Sequence, residues 1–235
     1  MKYKNIVILT GAGISAESGI DTFRAEDGLW EQYPVEQVAT PEGYAKDPEL
    51  VHHFYNLRRA ALKTVAPNPA HEALARLETG LTKNGGSLTL VTQNVDDLHE
   101  RGGSKGVIHM HGILTSMLCG SCEHRWEHFD DTQADMACPA CHVQNVCRPD
   151  IVWFGEMPYH MLKIEAALAA CDLFVSIGTS GAVYPAAGYV QMARGLDKDT
   201  LELNLETSQG SHYFNESQLG PAGTLVPEWV DEVLK

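Results

Sequence analysis

NIVILTGAGISAESGIDTFR, residues 5–24, decides how this chain folds. Asn5 to Leu9 form a short continuous apolar run that ends in glycines, the pattern of a strand buried on both faces of a parallel sheet. Gly11-x-Gly13-x-x-Ala16 follows and matches the dinucleotide-binding fingerprint in its Ala-ending form. Glycine first allows a tight turn, glycine second lets a pyrophosphate approach the backbone, and a small third residue lets the helix pack on the strand. The helix N-terminus then faces the anion. A glycine turn with no ligand would read the same way. The acidic ribose ligand expected about 20 residues further on does not stand at the end of an obvious second strand, so the pattern points away from an ordinary dehydrogenase.

Similar apolar runs recur as SLTLVTQN (Ser87 to Asn94), DLFVSIGTS (Asp172 to Ser180) and TLELNLE (Thr200 to Glu206), each followed directly by polar residues or glycine. Helical patterns lie between them. In NPAHEALARLE, Asn68 caps, Pro69 fits the first helical position, and Ala73, Leu74 and Leu77 share a face. The β-α alternation predicts an α/β fold: a Rossmann-like, doubly wound parallel sheet with ligands at the carboxyl ends of its strands. Two stretches break the alternation and are assigned to a small helical and zinc-binding second domain, residues 33–62 and 114–145. Residues 1–32, 63–113 and 146–235 make up the discontinuous dinucleotide-binding domain.

Seventeen Lys and Arg against 31 Asp and Glu give a net charge of −14, which disfavours nucleic acid and favours a cationic partner such as a lysine-rich protein segment, although solubility alone explains the charge. Apolar stretches such as Ile6 to Leu9 and Ala166 to Cys171 are far shorter than the roughly 20 residues that span a bilayer, and no leader pattern opens the chain. A cytoplasmic protein without a membrane anchor is expected. No residue pattern fixes the oligomeric state, and a monomer is the working expectation.

Cys119-x-x-Cys122 and Cys138-x-x-Cys141 have the ligand spacing of a zinc ribbon. Four thiolates close a tetrahedral site with no open position for water, so the one zinc expected here is structural. Two redox CxxC pairs are the competing reading. His124, His128 and His142 lie near the knuckles and read as solvated loop residues, while Cys147 and Cys171 read as small core or loop residues.

Together with these features, the remaining motifs resemble the sirtuin family over nearly the whole chain, and specifically its bacterial class that removes succinyl and malonyl groups. GAGISAESGIDTFR is similar to the family's cofactor loop, TQNVDDLH (Thr92 to His99) to its nicotinamide-pocket strand end, and HMHG (His109 to Gly112) to its catalytic-histidine motif. RPDIVWFGE (Arg148 to Glu156) resembles its substrate-binding strand, and GTSG from Gly178 and NLE from Asn204 its adenosine-side contacts. Asp21, Ala182, Cys147 and the segment SHYFNESQLG depart from the family pattern.

The resemblance implies an NAD-dependent protein-lysine deacylase, a transferase whose products are nicotinamide, O-acyl-ADP-ribose and free lysine. It also implies the site. Gly11, Ala12, Gly13, Ser15, Ala16, Glu17, Ile20, Phe23, Arg24, Trp30, Gln93, Asn94, Val95, Asp96, His111, Gly178, Thr179, Ser180, Asn204, Leu205, Glu206 and Ala222 are expected to bind NAD. Within that set Arg24 meets phosphate, Phe23 shields the reactive centre, Gln93 holds ribose hydroxyls, and Asn94 and Asp96 position the nicotinamide carboxamide and ribose. Loss of nicotinamide lets the acyl oxygen attack the ribose carbon, and a base must then activate a ribose hydroxyl. The resemblance selects His111 over His109 for that task, and an imidazole titrates in the useful range. Val152, Trp153, Phe154, Gly155 and Glu156 are expected to offer backbone groups to an acyl-lysine peptide; a plain core strand is the alternative.

DPELVHHFYNLRR reads as a helix with Asp47 as cap and Pro48 at its first position, so Tyr55 and Arg58, three apart, project from one face. A hydroxyl and a guanidinium can together hold a carboxylate, and by resemblance this pair selects succinyl and malonyl groups. A solvated helix face is the competing reading. Mono-ADP-ribosyl transfer and a non-catalytic NAD-sensing or zinc-scaffold module are the rival functions.

Overall fold

A computed structural model of the chain describes residues 2–20 and 32–235. Strands β1 (Asn5–Thr10), β2 (Ser87–Thr92), β3 (Ile108–His109), β7 (Leu173–Ile177), β8 (Asp199–Asn204) and β9 (Glu216–Leu219) form a six-stranded sheet in the order β3-β2-β1-β7-β8-β9, with every pairing parallel. The apolar runs read from the sequence supply β1, β2, β7 and β8.

Both faces of the sheet are covered, which is why its central strands are apolar without alternation. Ile6 and Ile8 of β1 join Leu173, Val175 and Ile177 of β7 against helices α5 (Pro69–Lys83) and α9 (Ala222–Val233). Val7, Leu9 and Phe174 point the other way, onto helices α7 (Met161–Ala170) and α8 (Tyr189–Gly195). Helix α5 begins as expected: the Asn68 side chain accepts from the Ala70 N–H at 3.0 Å, Pro69 opens the helix, and Ala73, Leu74 and Leu77 are buried on one face.

A second layer of structure is packed beside the strand ends. Helices α2 (Val35–Val38), α3 (Pro41–Lys46) and α4 (Pro48–Leu62) come from the first stretch that broke the alternation, and Asp47 caps α4 by accepting from the Leu50 N–H at 2.9 Å. The second stretch supplies most of β4 (Gly112–Cys119) and all of β5 (Arg125–Glu127) to a three-stranded antiparallel sheet, β5-β4-β6, which β6 (Cys147–Ile151) completes. Arg59, buried in α4, ties the two parts together by donating to the Leu114 and Asp130 carbonyls. Among the described residues no helix is long and apolar enough to cross a membrane.

Candidate active site

The chain builds β2 and β3 on one side of β1 and then returns to lay β7 on the other, so the sheet order reverses between β1 and β7. The loops leaving two such strands diverge and open a crevice at the carboxyl edge. Here the loops interlock at their bases. The Gly11 N–H donates to the Ile177 carbonyl at 3.0 Å and the Gly13 N–H to the Gly178 carbonyl at 2.9 Å. A Cβ on Gly13 would stand 2.8 Å from Gly178, and one on Gly178, whose φ is +62°, would stand 2.5 Å from the Ile14 nitrogen. Both glycines are therefore required by close backbone approach as well as by the turn. Asn204 at the end of β8 closes the adjoining edge by donating from Nδ2 to the Thr179 carbonyl at 2.7 Å.

Helix α1 (Gly13–Ala16) carries Ser15 into the base of the crevice, where it meets the loop after β2. The Ser15 hydroxyl donates to Asp96 Oδ2 at 3.0 Å and accepts from Asn94 Nδ2 at 3.1 Å, and Asn94 Nδ2 also reaches the Gly11 carbonyl at 3.1 Å. Burial pushes the Asp96 carboxyl up, against the Leu98 N–H and the Ser15 hydroxyl, which favour its charged form. Ser15 thus links Asn94 and Asp96, three side chains that the sequence placed in one site.

His109 and His111 reach the same loop but end in different states. His109 Nδ1 lies 3.3 Å from the Asn94 carbonyl and its Nε2 lies 2.8 Å from Glu100 Oε1. Burial opposes its charge, but the Glu100 ion pair prevails and raises its pKa. His111 Nδ1–H donates to the Gln93 carbonyl at 3.1 Å, and its Nε2 makes no hydrogen bond among the described residues. Burial lowers the pKa of His111, with the Gln93 carbonyl acting in the opposite direction. The tautomer this imposes leaves a lone pair on Nε2.

Beside this loop, α4 presents Tyr55, fully buried, and Arg58, half-buried. The Arg58 guanidinium lies 5.8 Å from the Tyr55 ring centre and is also drawn electrostatically toward Asp96. Burial pushes the Tyr55 phenol up to about 12, so it is a neutral donor at any working pH. Its oxygen accepts from the indole Nε1 of Trp153 at 3.0 Å.

Trp153 belongs to a segment that closes on itself. Strand β6 stops at Ile151, and Trp153 to Glu156 form a tight turn in which the Glu156 N–H donates to the Trp153 carbonyl at 3.0 Å. Gly155, with φ +93°, occupies the third position, where a type II turn needs a positive φ. Arg148 pairs with Glu156 at 2.8 Å and lies 4.0 Å above the Trp153 ring, while Glu156 also accepts from the Trp153 N–H. Val152 and Phe154 donate to the His111 and Ala39 carbonyls. Of the backbone groups expected to meet a peptide, the Val152 and Phe154 carbonyls and the Gly155 N–H remain uncommitted among the described residues.

At the far end of the small sheet the four knuckle cysteines converge. Their sulfurs all lie within 4.8 Å of one another, with Cys119 to Cys141 and Cys122 to Cys138 both at 3.7 Å. A tetrahedron with Zn–S bonds of about 2.3 Å has S···S edges of about 3.8 Å, so the quartet fits one structural zinc. The two knuckles repeat one backbone pattern. Glu123 and His142, each directly after the second cysteine, have φ near the left-handed region at 58° and 61° and donate to the Cys119 and Cys138 carbonyls. The Ser121 and Ala140 N–H groups point at the Cys119 and Cys138 sulfurs, both at 3.4 Å. Cys147 is buried next to the quartet, opposite Cys119 on the paired strand, and Cys171 is buried in the main core.

The other expected residues fall in three groups. Thr179 and Ser180 lie with Gly178 on the loop after β7, and Leu205 and Glu206 follow Asn204 as exposed residues. Ala12, Ala16, Ile20 and Val95 flank the crevice, with Ile20 and Val95 packed in the core between α4 and β6. Glu17 points to the C-terminal helix, accepting from the Gly223 N–H at 2.9 Å next to Ala222. Phe23, Arg24, Trp30 and the departure at Asp21 lie outside the described residues.

The sequence reading missed several supporting residues. Arg148 stood inside a quoted motif, and its nine-residue ring with Glu156 is invisible in one dimension. His71 and His99, rings 4.9 Å apart beneath the crevice, support Ser15 and Thr10. Glu202, buried mid-strand in β8, accepts from Ser211 and Ser217 and so fixes the unusual SHYFNESQLG segment. A lone Glu within an apolar run was the available signal.

The profile described as the Sir2 family matches residues 11–185. A protein of Caulobacter vibrioides named "NAD-dependent protein deacylase" is 53% identical over 229 residues, 97% of this chain and 96% of its own length. One of the same name from Vibrio parahaemolyticus is 55% identical over 234 residues, covering 99% and 96%. Among solved structures, a Sir2 homologue in complex with NAD superposes with a TM-score of 0.87 at 37% identity, covering 100% of this chain and 92% of that one. A mutant Sir2 homologue bound to ADP-ribose gives 0.89 at 38%, covering 99% and 92%. The chain belongs to the Sir2 family.

Proposed function

We propose that this chain is an NAD-dependent protein-lysine deacylase that removes acetyl groups and, through Tyr55 and Arg58, succinyl and malonyl groups, giving nicotinamide, O-acyl-ADP-ribose and free lysine. The observation that carries the reading is the state of His111: its pKa lowered by burial, its ring oriented by Gln93, and its Nε2 unbonded among the described residues. That is what a general base needs, and it separates His111 from His109, whose two nitrogens are both engaged. A module that only bound NAD would have no use for such a base.

Bound NAD supplies an electrophilic ribose carbon once nicotinamide departs. The glycine backbones of the β1 and β7 loops would admit its phosphates, with Thr179, Ser180, Asn204, Leu205 and Glu206 along the adenosine side. The Asn94–Ser15–Asp96 array would hold the carboxamide and ribose in a fixed orientation, because each side chain is already bonded to the next. His111 Nε2 would take the proton of a ribose hydroxyl. The carbonyls of Val152 and Phe154 and the Gly155 N–H would pair with an extended acyl-lysine peptide, and the excess of carboxylates suits lysine-rich partners. Phe23, Arg24 and Trp30 complete the proposed cofactor set.

Mass spectrometry of the protein with NAD and matched acetyl, succinyl and malonyl peptides tests the proposal. Free lysine and acyl-ADP-ribose are expected from all three. ADP-ribosylated protein without deacylation of the lysine would establish mono-ADP-ribosyl transfer instead, and unconsumed NAD would leave only a binding module.

A further inference from the structure

Two features of Tyr55 stand outside what its spacing from Arg58 implies. Its phenol oxygen accepts a hydrogen bond from Trp153 Nε1 at 3.0 Å, and its own hydrogen meets no acceptor among the described residues. An indole can only donate, so the phenol is obliged to accept from it and to direct its O–H elsewhere. Accepting a hydrogen bond also polarises that O–H and makes it a stronger donor.

The indole is held from several sides. Arg148 covers its face at 4.0 Å, the Tyr44 ring packs at 5.2 Å, and its backbone N–H is fixed by Glu156 at 2.9 Å. Trp153 is buried, and so is the phenol it touches. The direction of the N–H is therefore set by the closed segment from Arg148 to Glu156, not by Tyr55. A phenylalanine at position 153 would keep an aromatic ring there and donate nothing.

We propose that Trp153 is a positioning residue for acyl selection: its indole N–H holds the Tyr55 hydroxyl as a donor, beside the Arg58 guanidinium, for the distal carboxylate of an acidic acyl-lysine. This rests on the reading of Tyr55 and Arg58 given above. Selection for acidic acyl groups then depends on a residue that touches no part of the acyl chain itself. An acetyl group has no carboxylate and gains nothing from the arrangement.

The test is steady-state kinetics on succinyl and acetyl peptides for the wild type, Trp153→Phe, Tyr55→Phe, Arg58→Met and the double variant Trp153→Phe/Tyr55→Phe. Trp153→Phe is expected to lower the succinyl-to-acetyl ratio of kcat/KM roughly ten-fold, mainly through a higher KM for the succinyl peptide. The double variant should lose no more than Tyr55→Phe alone, because the indole acts only through the phenol. Benzothienylalanine at position 153 keeps the ring shape and lacks the N–H; it serves if Trp153→Phe folds poorly, and should give the same succinyl-to-acetyl ratio. Proportional losses for both peptides, or an unchanged ratio, while Arg58→Met still lowers the ratio, would overturn the role of Trp153 alone. An unchanged ratio in Arg58→Met would overturn the acyl-selection reading and this proposal with it.

Discussion

His111 and Gln93 are joined by a 3.1 Å hydrogen bond from the imidazole Nδ1–H to the backbone carbonyl, and this contact fixes the ring's tautomer. His111 is the proposed base and would act only after the cofactor is positioned, so His111→Ala should keep NAD binding while deacylation falls by roughly 10²- to 10⁴-fold. Calorimetric NAD affinity and peptide turnover on the same sample check it; turnover near the wild-type rate would refute the assignment.

Burial lowers the His111 pKa below the ordinary imidazole value of 6.5. A base works in its neutral form, so kcat/KM should rise with pH through an acid limb and then level off. The midpoint of that limb is expected below pH 6.5. A midpoint above it would point to His109 instead, which its pair with Glu100 shifts the other way.

Gly178→Ala places a Cβ 2.5 Å from the Ile14 nitrogen at a φ of +62°. The substitution should destabilise the protein by more than about 1 kcal/mol and weaken NAD binding, because the glycine loops cannot keep their contact. Urea titration and NAD affinity measure the two effects.

Cys119→Ala and Cys138→Ala each remove a tetrahedral ligand and should release zinc and lower the Tm, since a structural metal contributes folding free energy. Elemental analysis showing one zinc retained per chain in either variant would count against the quartet.

His52 and His71 are both buried, and burial lowers each pKa to about 4. The unfolded chain takes up these protons first as pH falls, so the stability they contribute is complete above pH 6.5 and declines between 6.5 and about 4, by on the order of 3 kcal/mol per histidine. The urea midpoint should therefore drop steadily over that window. A flat profile between pH 7 and 4.5 would contradict the burial argument.

The main sheet was legible because its central strands are covered on both faces and so carry continuous apolar runs; Asn5–Leu9 and Leu173–Ile177 are the clearest. Edge strands escaped. Glu216–Leu219 is mostly polar and exposed, and Ile108–His109 is two residues long, so neither has a hydrophobic pattern to read. The metal quartet was legible because CxxC knuckles are local. The polar network was legible only as a set of residues: nothing in one dimension says that Asn94 reaches Ser15, 79 residues earlier. The link from Trp153 to Tyr55 spans 98 residues and is a property of the closed turn alone.

The small sheet joins the four-cysteine site at one end to the candidate active site at the other. Strand β4 runs from Gly112, next to His111, to Cys119, and β6 runs back from Cys147 to Ile151, two residues short of Trp153. The strands meet again where the Val152 N–H donates to the His111 carbonyl at 2.9 Å. A chelator acting at the thiolates should thus be felt first as a loss of turnover, before the parallel sheet gives way.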